Sequence, residues 1–257
     1  VMRAPKPHIG DFHLAILDVG QGLAIVARTR EHVLIYDTGP AFQSGRNAAE
    51  LAVLPYVRSK GIRHIDVLMV SHGDLDHRGG APSLLEELAT ERVFIGPSVD
   101  IDVAQPVQCA YGQQWSWEGV RFEVLHPPAD YISDDNDTSC VLYIEGRRGS
   151  ALLTGDIEAF GEQELLERAL ARVDVVVVPH HGSRTSSTSE FVAALSPALA
   201  VFSAGYRNRW ALPKLDVVQR WQRAGARAVT TARSGAIEVS FSETGALRVR
   251  EHRRASR

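Results

Sequence analysis

Cysteine is nearly absent: Cys109 and Cys140 are the only two among 257 residues. Two cannot build a disulfide framework, and neither stands in the CxxC spacing of zinc or redox sites. Each is read as a small buried hydrophobe, with one disulfide between them as the lesser alternative, because spacing supplies no geometry. No run approaches the roughly 18 consecutive apolar residues of a membrane span, and residues 1–10 contain no apolar leader core, so a soluble chain is expected. Charge of one sign is also lacking. With 28 Lys+Arg against 31 Asp+Glu the formal charge is -3, which excludes a generally basic, DNA-coating surface while leaving room for a local basic groove. At 44% hydrophobic and 23% charged residues, the composition is neither disordered nor collagen-like. The length allows one large domain or two fused halves, and excludes a long array of small repeats.

What is present is an alternation of β-like runs and helical periods. Apolar stretches at 12–19 and 23–27 flank Gly20-Gln21-Gly22, and a third, Val33–Tyr36, ends at Asp37. Residues 47–60 read as a helix with Leu51, Leu54 and Val57 on one face, stopped by Gly61. A continuous apolar run at 65–70, as in strands buried on both faces, leads straight into Ser71-His72. A helix at 81–88 and short β runs at 120–125 and 140–144 follow, the last two separated by an acidic loop at 134–139. The second half echoes the first: strand 151–154 ends at Gly155-Asp156, helix 158–170 follows, and strand 173–178 ends at His180-His181. Helices at 190–195 and 215–224 then alternate with strands at 199–203, 228–231, Ile237–Phe241 and 247–250. The pattern predicts a layered α/β domain of two similar halves with no separating linker.

Chemistry concentrates where these runs stop. Asp37, the run His72-Gly73-Asp74-Leu75-Asp76-His77, Asp156 and His180-His181 each follow an apolar strand, and ligands of open α/β sheets gather at such ends. Four of the ten histidines lie in two of these clusters, a concentration that favours a metal site over solvated histidines. Residues two apart point the same way, so His72 and Asp74 can grip one ion while Asp76 and His77 grip a second, with Asp156 placed to bridge them. Taken singly, Asp37 and Asp156 read as cap or turn residues. Together with the histidines they read as a dinuclear centre.

The run Ser71-His72-Gly73-Asp74-Leu75-Asp76-His77-Arg78-Gly79-Gly80 resembles the HxHxDH signature of the metallo-β-lactamase superfamily in an HxDxDH form. Leu152-Leu153-Thr154-Gly155-Asp156 and Pro179-His180-His181-Gly182-Ser183 match that superfamily's later motifs. With Leu17-Asp18-Val19-Gly20-Gln21-Gly22 they are similar, over residues 12–241, to the C-terminal domain of the ComEC/Rec2 family of bacterial DNA-uptake proteins. The resemblance implies a four-layer αββα sandwich over residues 12–250, between an N-terminal arm (1–11) and a basic tail (251–257).

Carried over by position, the resemblance makes His72, Asp74, Asp76, His77, Asp156 and His180 the metal ligands, His180 being preferred to His181 because it follows its strand as His72 follows Val70. Asp37 is expected to orient a ligand histidine, and Asp37, Asp76 and Asp156 are the carboxylates expected to serve catalysis. The family's third-motif histidine is missing. Asn136, Asp137 and Ser139 occupy the matching loop, so an oxygen or amide replaces it or the site is open there. His126, in a His-Pro-Pro turn, reads as a surface-loop histidine instead. A histidine that relatives place before Pro213, and an acid they place at Leu23, are also absent. Two divalent ions are implied and no organic cofactor. The oxygen-rich donor set favours Mn²⁺, with Zn²⁺ binding less productively.

For substrate, Ser183, Arg184 and Thr185 belong to a loop that either binds phosphate or simply caps a helix. Asn208, Arg209 and Lys214, with Arg207 and Trp210, read either as a strand-binding groove or as a solvated surface with a core tryptophan. The five arginines from Arg248 to Arg257 touch nucleic acid or acidic lipid, or are merely solvated. The resemblance implies a nuclease that degrades the non-transforming strand of DNA, single-stranded DNA being the expected partner together with a membrane channel in the same longer protein, on the outer face of the bacterial inner membrane. Two other readings stay open: a stand-alone hydrolase of small phosphodiesters or other esters, and a catalytically weak DNA-binding module of the channel. The residues do not speak to oligomeric state.

Overall fold

The computed structural model describes residues 6–131, 136–168 and 170–252. The expected loop residues Asp134 and Asp135, the first part of the N-terminal arm and the tail beyond His252 lie outside them. Two mixed sheets carry the apolar runs. The eight-stranded sheet has the order β15 (Leu247–Glu251), β14 (Ile237–Phe241), β1 (His13–Ile16), β2 (Ile25–Arg28), β3 (Val33–Tyr36), β4 (His64–Val70), β5 (Ala89–Ile95), β6 (Val107–Gln108). The seven-stranded sheet has the order β13 (Arg227–Thr230), β12 (Leu199–Phe202), β11 (Val175–Val177), β10 (Ser150–Leu153), β9 (Val141–Glu145), β8 (Val120–His126), β7 (Gln114–Trp117).

Alternation along each strand sorts the side chains into layers. Leu14, Ile16, Ile25, Leu34 and Tyr36 face inward and pack with Val120, Phe122, Leu142 and Leu153 of the other sheet. Their neighbours Ala15, Val26, Ile35 and Leu68 face outward under a helical layer. That layer is a π-helical turn, Ala49–Val53, running into α1 (Leu54–Ser59), together with α2 (Leu75–Arg78) and α3 (Ala81–Glu87). On the far side, α4 (Ala159–Glu167), α5 (Ser189–Leu195) and α6 (Leu215–Arg223) cover Leu152, Val176 and Ala200 with Phe191, Leu195, Val217 and Trp221. Each such large apolar side chain contributes about 1.5–3 kcal/mol by leaving water. The result is the αββα sandwich that the motifs imply.

Local signals set the boundaries. Glu50 N donates to Asn47 Oδ1 at 3.0 Å, which starts the 47–60 helical stretch, and Gly61, at φ 72°, ends it. β1 stops at Ile16, earlier than the apolar run 12–19, because the chain turns back through Gly20 and Gly22 so that Leu17 N reaches Ala24 O. β3, β4 and β5 are parallel, as are β10 to β13. Their C-terminal ends open at one edge of the sandwich, where Asp37, His72, Asp156 and His180-His181 emerge.

Two expectations are corrected. Cys109 and Cys140 are not separate buried thiols: they form a disulfide, with Cα atoms 5.8 Å apart. Cys109 N bonds Ile95 O and Cys140 N bonds Ser71 O, so the inner face between the sheets brings together residues whose spacing said nothing. His126 is no surface-loop histidine either. It is fully buried, and its Nε2 donates to Asp137 O at 2.6 Å; burial also lowers its pKa, as the loss of water disfavours the imidazolium.

Candidate metal centre

Four strand ends converge. Asp37 follows β3 in a left-handed conformation, φ 57°, and is fully buried. Its Oδ1 accepts from Ser71 N at 2.7 Å, and its Oδ2 accepts from Ser71 Oγ at 2.7 Å and from His77 Nδ1 at 2.8 Å. A carboxylate only accepts, so these contacts place a proton on His77 Nδ1 and spend the Ser71 hydroxyl proton on Asp37. Ser71 Oγ, 3.0 Å from His72 Nδ1, is then left to accept from His72. His181 Nδ1 lies 2.8 Å from the Ser203 carbonyl, which also can only accept. By this network all three imidazoles carry Nδ1–H and turn Nε2 toward one another.

Those Nε2 atoms meet the carboxylates. His77 Nε2 is 3.2 Å from Asp156 Oδ1 and 3.3 Å from His181 Nε2, while His181 Nε2 is 3.3 Å from both Asp156 Oδ2 and Asp76 Oδ2. His72 Nε2 is 3.7 Å from Asp74 Oδ2. Two donor groups result, His72 with His77 and Asp156, and Asp76 with His77 and His181, the ligand atoms within each lying within 4.8 Å of one another. Buried polar groups ordinarily find a hydrogen bond. His72 Nε2 and Asp156 Oδ1 are buried without a hydrogen bond, their nearest partners being ionisable groups at 3.7 and 3.2 Å, so the donor set fits divalent cations.

Without a cation the charges answer each other. Burial pushes the Asp156 carboxyl upward, but His181 and His77 beside it more than offset this and hold it well below the usual carboxylate range. Asp76 is drawn to about 2, since His181 and His77 outweigh the effect of burial. Burial opposes the His181 imidazolium, yet Asp156 and Asp76 raise it to about 9, and Asp156 with Asp37 raise His77 well above its ordinary value. Cation binding here must therefore displace protons.

The sequence-expected residues fall into distinct places. His72, His77, Asp76 and Asp156 are in the cluster, and Asp74 stands exposed at its rim, its carboxyl lowered chiefly by His72. His181 enters the cluster. His180 is its half-buried neighbour at the mouth, with Nε2 3.9 Å from Asp156 Oδ2 and Nδ1 tied to Glu158 Oε1 at 3.1 Å and Thr185 Oγ1 at 3.0 Å. Both histidines have positive φ, 49° and 54°, which turns the chain so that the second points inward. Ser139 Oγ accepts from Asp156 N at 3.0 Å and braces the loop. Asp137 Oδ1 accepts from Glu158 N and Gly161 N at the start of α4, and Asn136 Nδ2 reaches Glu158 Oε1 at 3.3 Å.

The substrate candidates divide similarly. Arg184 pairs with Asp216 on the surface, at 2.9 Å. Ser183 Oγ accepts from Thr185 Oγ1 at 3.1 Å, and Thr188, further along the loop, caps α5 by accepting from Phe191 N. Asn208 spends its amide on Gly205 O, Leu212 O and Leu212 N, folding the 205–214 loop. Lys214 Nζ donates to Trp210 O at 2.6 Å. Trp210 is no core residue: it is 47% exposed, with the Arg209 guanidinium 4.1 Å from its ring centroid. This loop adjoins the centre, since Gly205 N reaches Gln21 Oε1 and Leu23 N reaches Asp76 O. Sequence reasoning does not find Ser71, Ser203 and Glu158 as supports; Ser71 stands beside His72 at the end of β4, but nothing in its identity announces its hydrogen bonds to both Asp37 and His72.

The family model described as the Metallo-beta-lactamase superfamily matches residues 17–205, the span from the Gly20-Gln21-Gly22 turn through His181 and Ser203. The chain belongs to the metallo-beta-lactamase superfamily. It is 36% identical over 225 residues to Recombination protein 2 of Haemophilus influenzae, covering 88% of this chain and 28% of that protein. It is 34% identical over 234 residues to Competence protein ComA of Neisseria gonorrhoeae, covering 90% and 33%. The chain thus spans a third or less of these relatives' length. Among solved structures, CmlA, a diiron β-hydroxylase from Streptomyces venezuelae, superposes with a TM-score of 0.55 at 15% identity, covering 88% of this chain and 53% of that one. That likeness concerns the fold. Metallo-beta-lactamase folds hold divalent metal, and the donor groups above are where this chain would hold it.

Proposed function

We propose that this chain is the metal-dependent phosphodiesterase unit, residues 12–250, of a DNA-uptake protein, and that it degrades one strand of DNA while the other enters the cell. The observation that carries the reading is the buried donor cluster, with unsatisfied His72 Nε2 and Asp156 Oδ1, inside a chain whose relatives are named for recombination and competence. His72, His77, Asp156, Asp76 and His181 would hold two ions, Asp74 completing the rim. Such ions supply positive charge to attacking and leaving oxygens and lower the pKa of water. The chain's own share is positional: Asp37 and Ser71 orient His77 and His72, Ser203 orients His181, and Glu158 with Thr185 holds His180 at the mouth. Three carboxylates among the donors favour Mn²⁺ over Zn²⁺.

The exposed Trp210 under Arg209, beside the centre, supports a single-stranded substrate, because bases stack on such rings while cations meet phosphates. The disulfide supports an oxidising compartment, hence the outer face of the membrane. Among the described residues no helix is long and apolar enough to cross a membrane, so the channel would reside elsewhere in a longer protein. The test is degradation of end-labelled single- and double-stranded DNA with Mn²⁺, Zn²⁺, Mg²⁺ or chelator, beside Asp156→Ala and His77→Ala. Cleavage with Mn²⁺ that both substitutions abolish is expected, with Trp210→Ala weakening single-strand binding by about 5- to 150-fold. No cleavage while two ions remain bound would sink the nuclease reading and favour a small ester substrate.

A further inference from the structure

The edge of the first sheet opposite the metal centre is basic although the whole chain is acidic. β1, β3 and β4 run toward Asp37 and His72, so their starts, with Arg28 paired across from His13, lie at the other end. β4 alone has seven residues, which separates the two ends by roughly 20 Å. The outer face of β15, β14, β1 and β2 is left open there, since Glu238, Ser240, Arg248 and Arg250 share the parity of Ala15 and only Tyr56 and Lys60 of the helical layer border it. A cavity of about 290 Å³ results, lined by Arg28, Arg248 and Arg250 among others. A second, of about 270 Å³, shares Arg28 and Lys60 and adds Lys6, Arg30 and Arg63.

The carboxylates of this surface are already engaged. Glu238 bonds Lys60 at 2.6 Å and Tyr56 at 3.0 Å, Glu31 bonds Lys6 at 2.5 Å, and Asp66 accepts from Val33 N at 2.7 Å. Arg28, Arg63, Arg248 and Arg250 make no ion pair with a carboxylate among the described residues, Glu238 acting on Arg28 only at longer range. Arg28 is half-buried, and burial pulls its guanidinium below its ordinary value. Guanidinium groups without ion pairs around a concavity, the exposed Arg63, Arg248 and Arg250 beside the half-buried Arg28, are suited to phosphate oxygens.

We propose that this face docks on an anionic lipid bilayer, the arginines taking headgroup phosphates. Three observations favour a membrane over nucleic acid. Arg28, Arg30, Arg63 and Arg248 gather at the end of the sandwich away from the metal centre, with Arg250 two positions further along β15. No exposed phenylalanine, tyrosine or tryptophan ring lines the two cavities for base stacking. Ile9, 65% exposed and three residues from Lys6, stands at the same end, where Gly10 N bonds Glu118 O and Glu118 bonds Thr29, as an apolar contact for the interface. Docking this way leaves the metal centre facing water, and does not depend on what that centre hydrolyses.

The test is co-sedimentation of the 257-residue protein with vesicles of phosphatidylcholine alone or mixed equally with phosphatidylglycerol. Binding only to the anionic vesicles, weakened by salt, is expected. Each cation near such a surface contributes about fivefold in partitioning, so Arg248→Gln/Arg250→Gln should bind about 20-fold more weakly, while Arg46→Gln, at the metal end, should not change. Arg63→Gln, on the connection before β4, gives an independent loss if the double variant disturbs the sheet edge. Equal binding to neutral vesicles, or retention of anionic binding in all the variants, overturns the proposal. So does loss of duplex-DNA binding in the same variants without any vesicle binding, which would make the face a nucleic-acid surface.

Discussion

Asp37 Oδ2 lies 2.8 Å from His77 Nδ1 and also holds the Ser71 hydroxyl whose oxygen meets His72 Nδ1. One buried carboxylate thereby sets the tautomers of two histidines on different parts of the metal loop. Asp37→Asn keeps the shape, and Asn tolerates the left-handed φ that Asp37 adopts. It nevertheless offers an amide where only acceptors belong. Affinity for Mn²⁺ or Zn²⁺, read by titration calorimetry, should fall about 10- to 100-fold with the fold intact. Asp37→Ala should in addition lower stability by about 2–4 kcal/mol, because Ser71 N–H and His77 Nδ1–H lose their buried acceptor. Unchanged affinity in both variants would show that the relay does not govern the ligands.

The two adjacent histidines make a second, sharper comparison. His181 Nε2 touches Asp76 and Asp156, whereas His180 is anchored through Nδ1 by Glu158 and Thr185 at the mouth. His181→Ala should therefore lose at least one bound ion, measured by elemental analysis after gel filtration. His180→Ala should retain the full complement. Equal losses would place His180 among the ligands, as its position after the strand suggests.

That pair also marks where sequence stops informing. The strand ends were legible because acids and histidines directly follow apolar β runs, a pattern set by local chemistry alone. The choice between His180 and His181 was not, because two consecutive left-handed residues rotate the loop, and left-handed backbone in a non-glycine residue leaves no trace in residue type. Residues drawn together from distant strands were equally hidden. Cys109 and Cys140 meet only because the sheets face each other, and His126, which two prolines mark as a turn residue, is buried by the carbonyl of Asp137. The helix-capping role of Asp137 likewise depends on where α4 begins.

The Cys109–Cys140 bond closes a loop with a sequence separation of 31. Loop-closure entropy for that length corresponds to about 3–4 kcal/mol of stabilisation. Cys109→Ala/Cys140→Ala should show a loss of that order in denaturant unfolding. The same loss should appear when reductant is added to the wild type and be absent when it is added to the variant. Cys140 N also holds Ser71 O beside the metal loop, so cation affinity should drop in parallel. A variant as stable as the oxidised protein would mean that packing in the inter-sheet core does the stabilising.

Glu162 supplies a pH dependence separate from the metal centre. It is fully buried under α5, where its two carboxyl oxygens accept from Ser187 N and Thr188 N. Burial raises its pKa from 4.5 to about 7, and those hydrogen bonds offset only part of the rise. The folded state then holds this proton more tightly than the unfolded chain does. Its contribution is most favourable below the unfolded value, is lost as pH rises from 4.5 to about 7, and is constant beyond. The loss amounts to about 3 kcal/mol at most. Denaturant unfolding of wild type and Glu162→Gln, both in chelator, isolates it, because the histidines titrate alike in the two proteins and cancel in the difference. The stability difference should move toward the Gln variant across that window and level off above it. A difference independent of pH would mean that the two N–H donors keep the carboxylate ionised despite its burial.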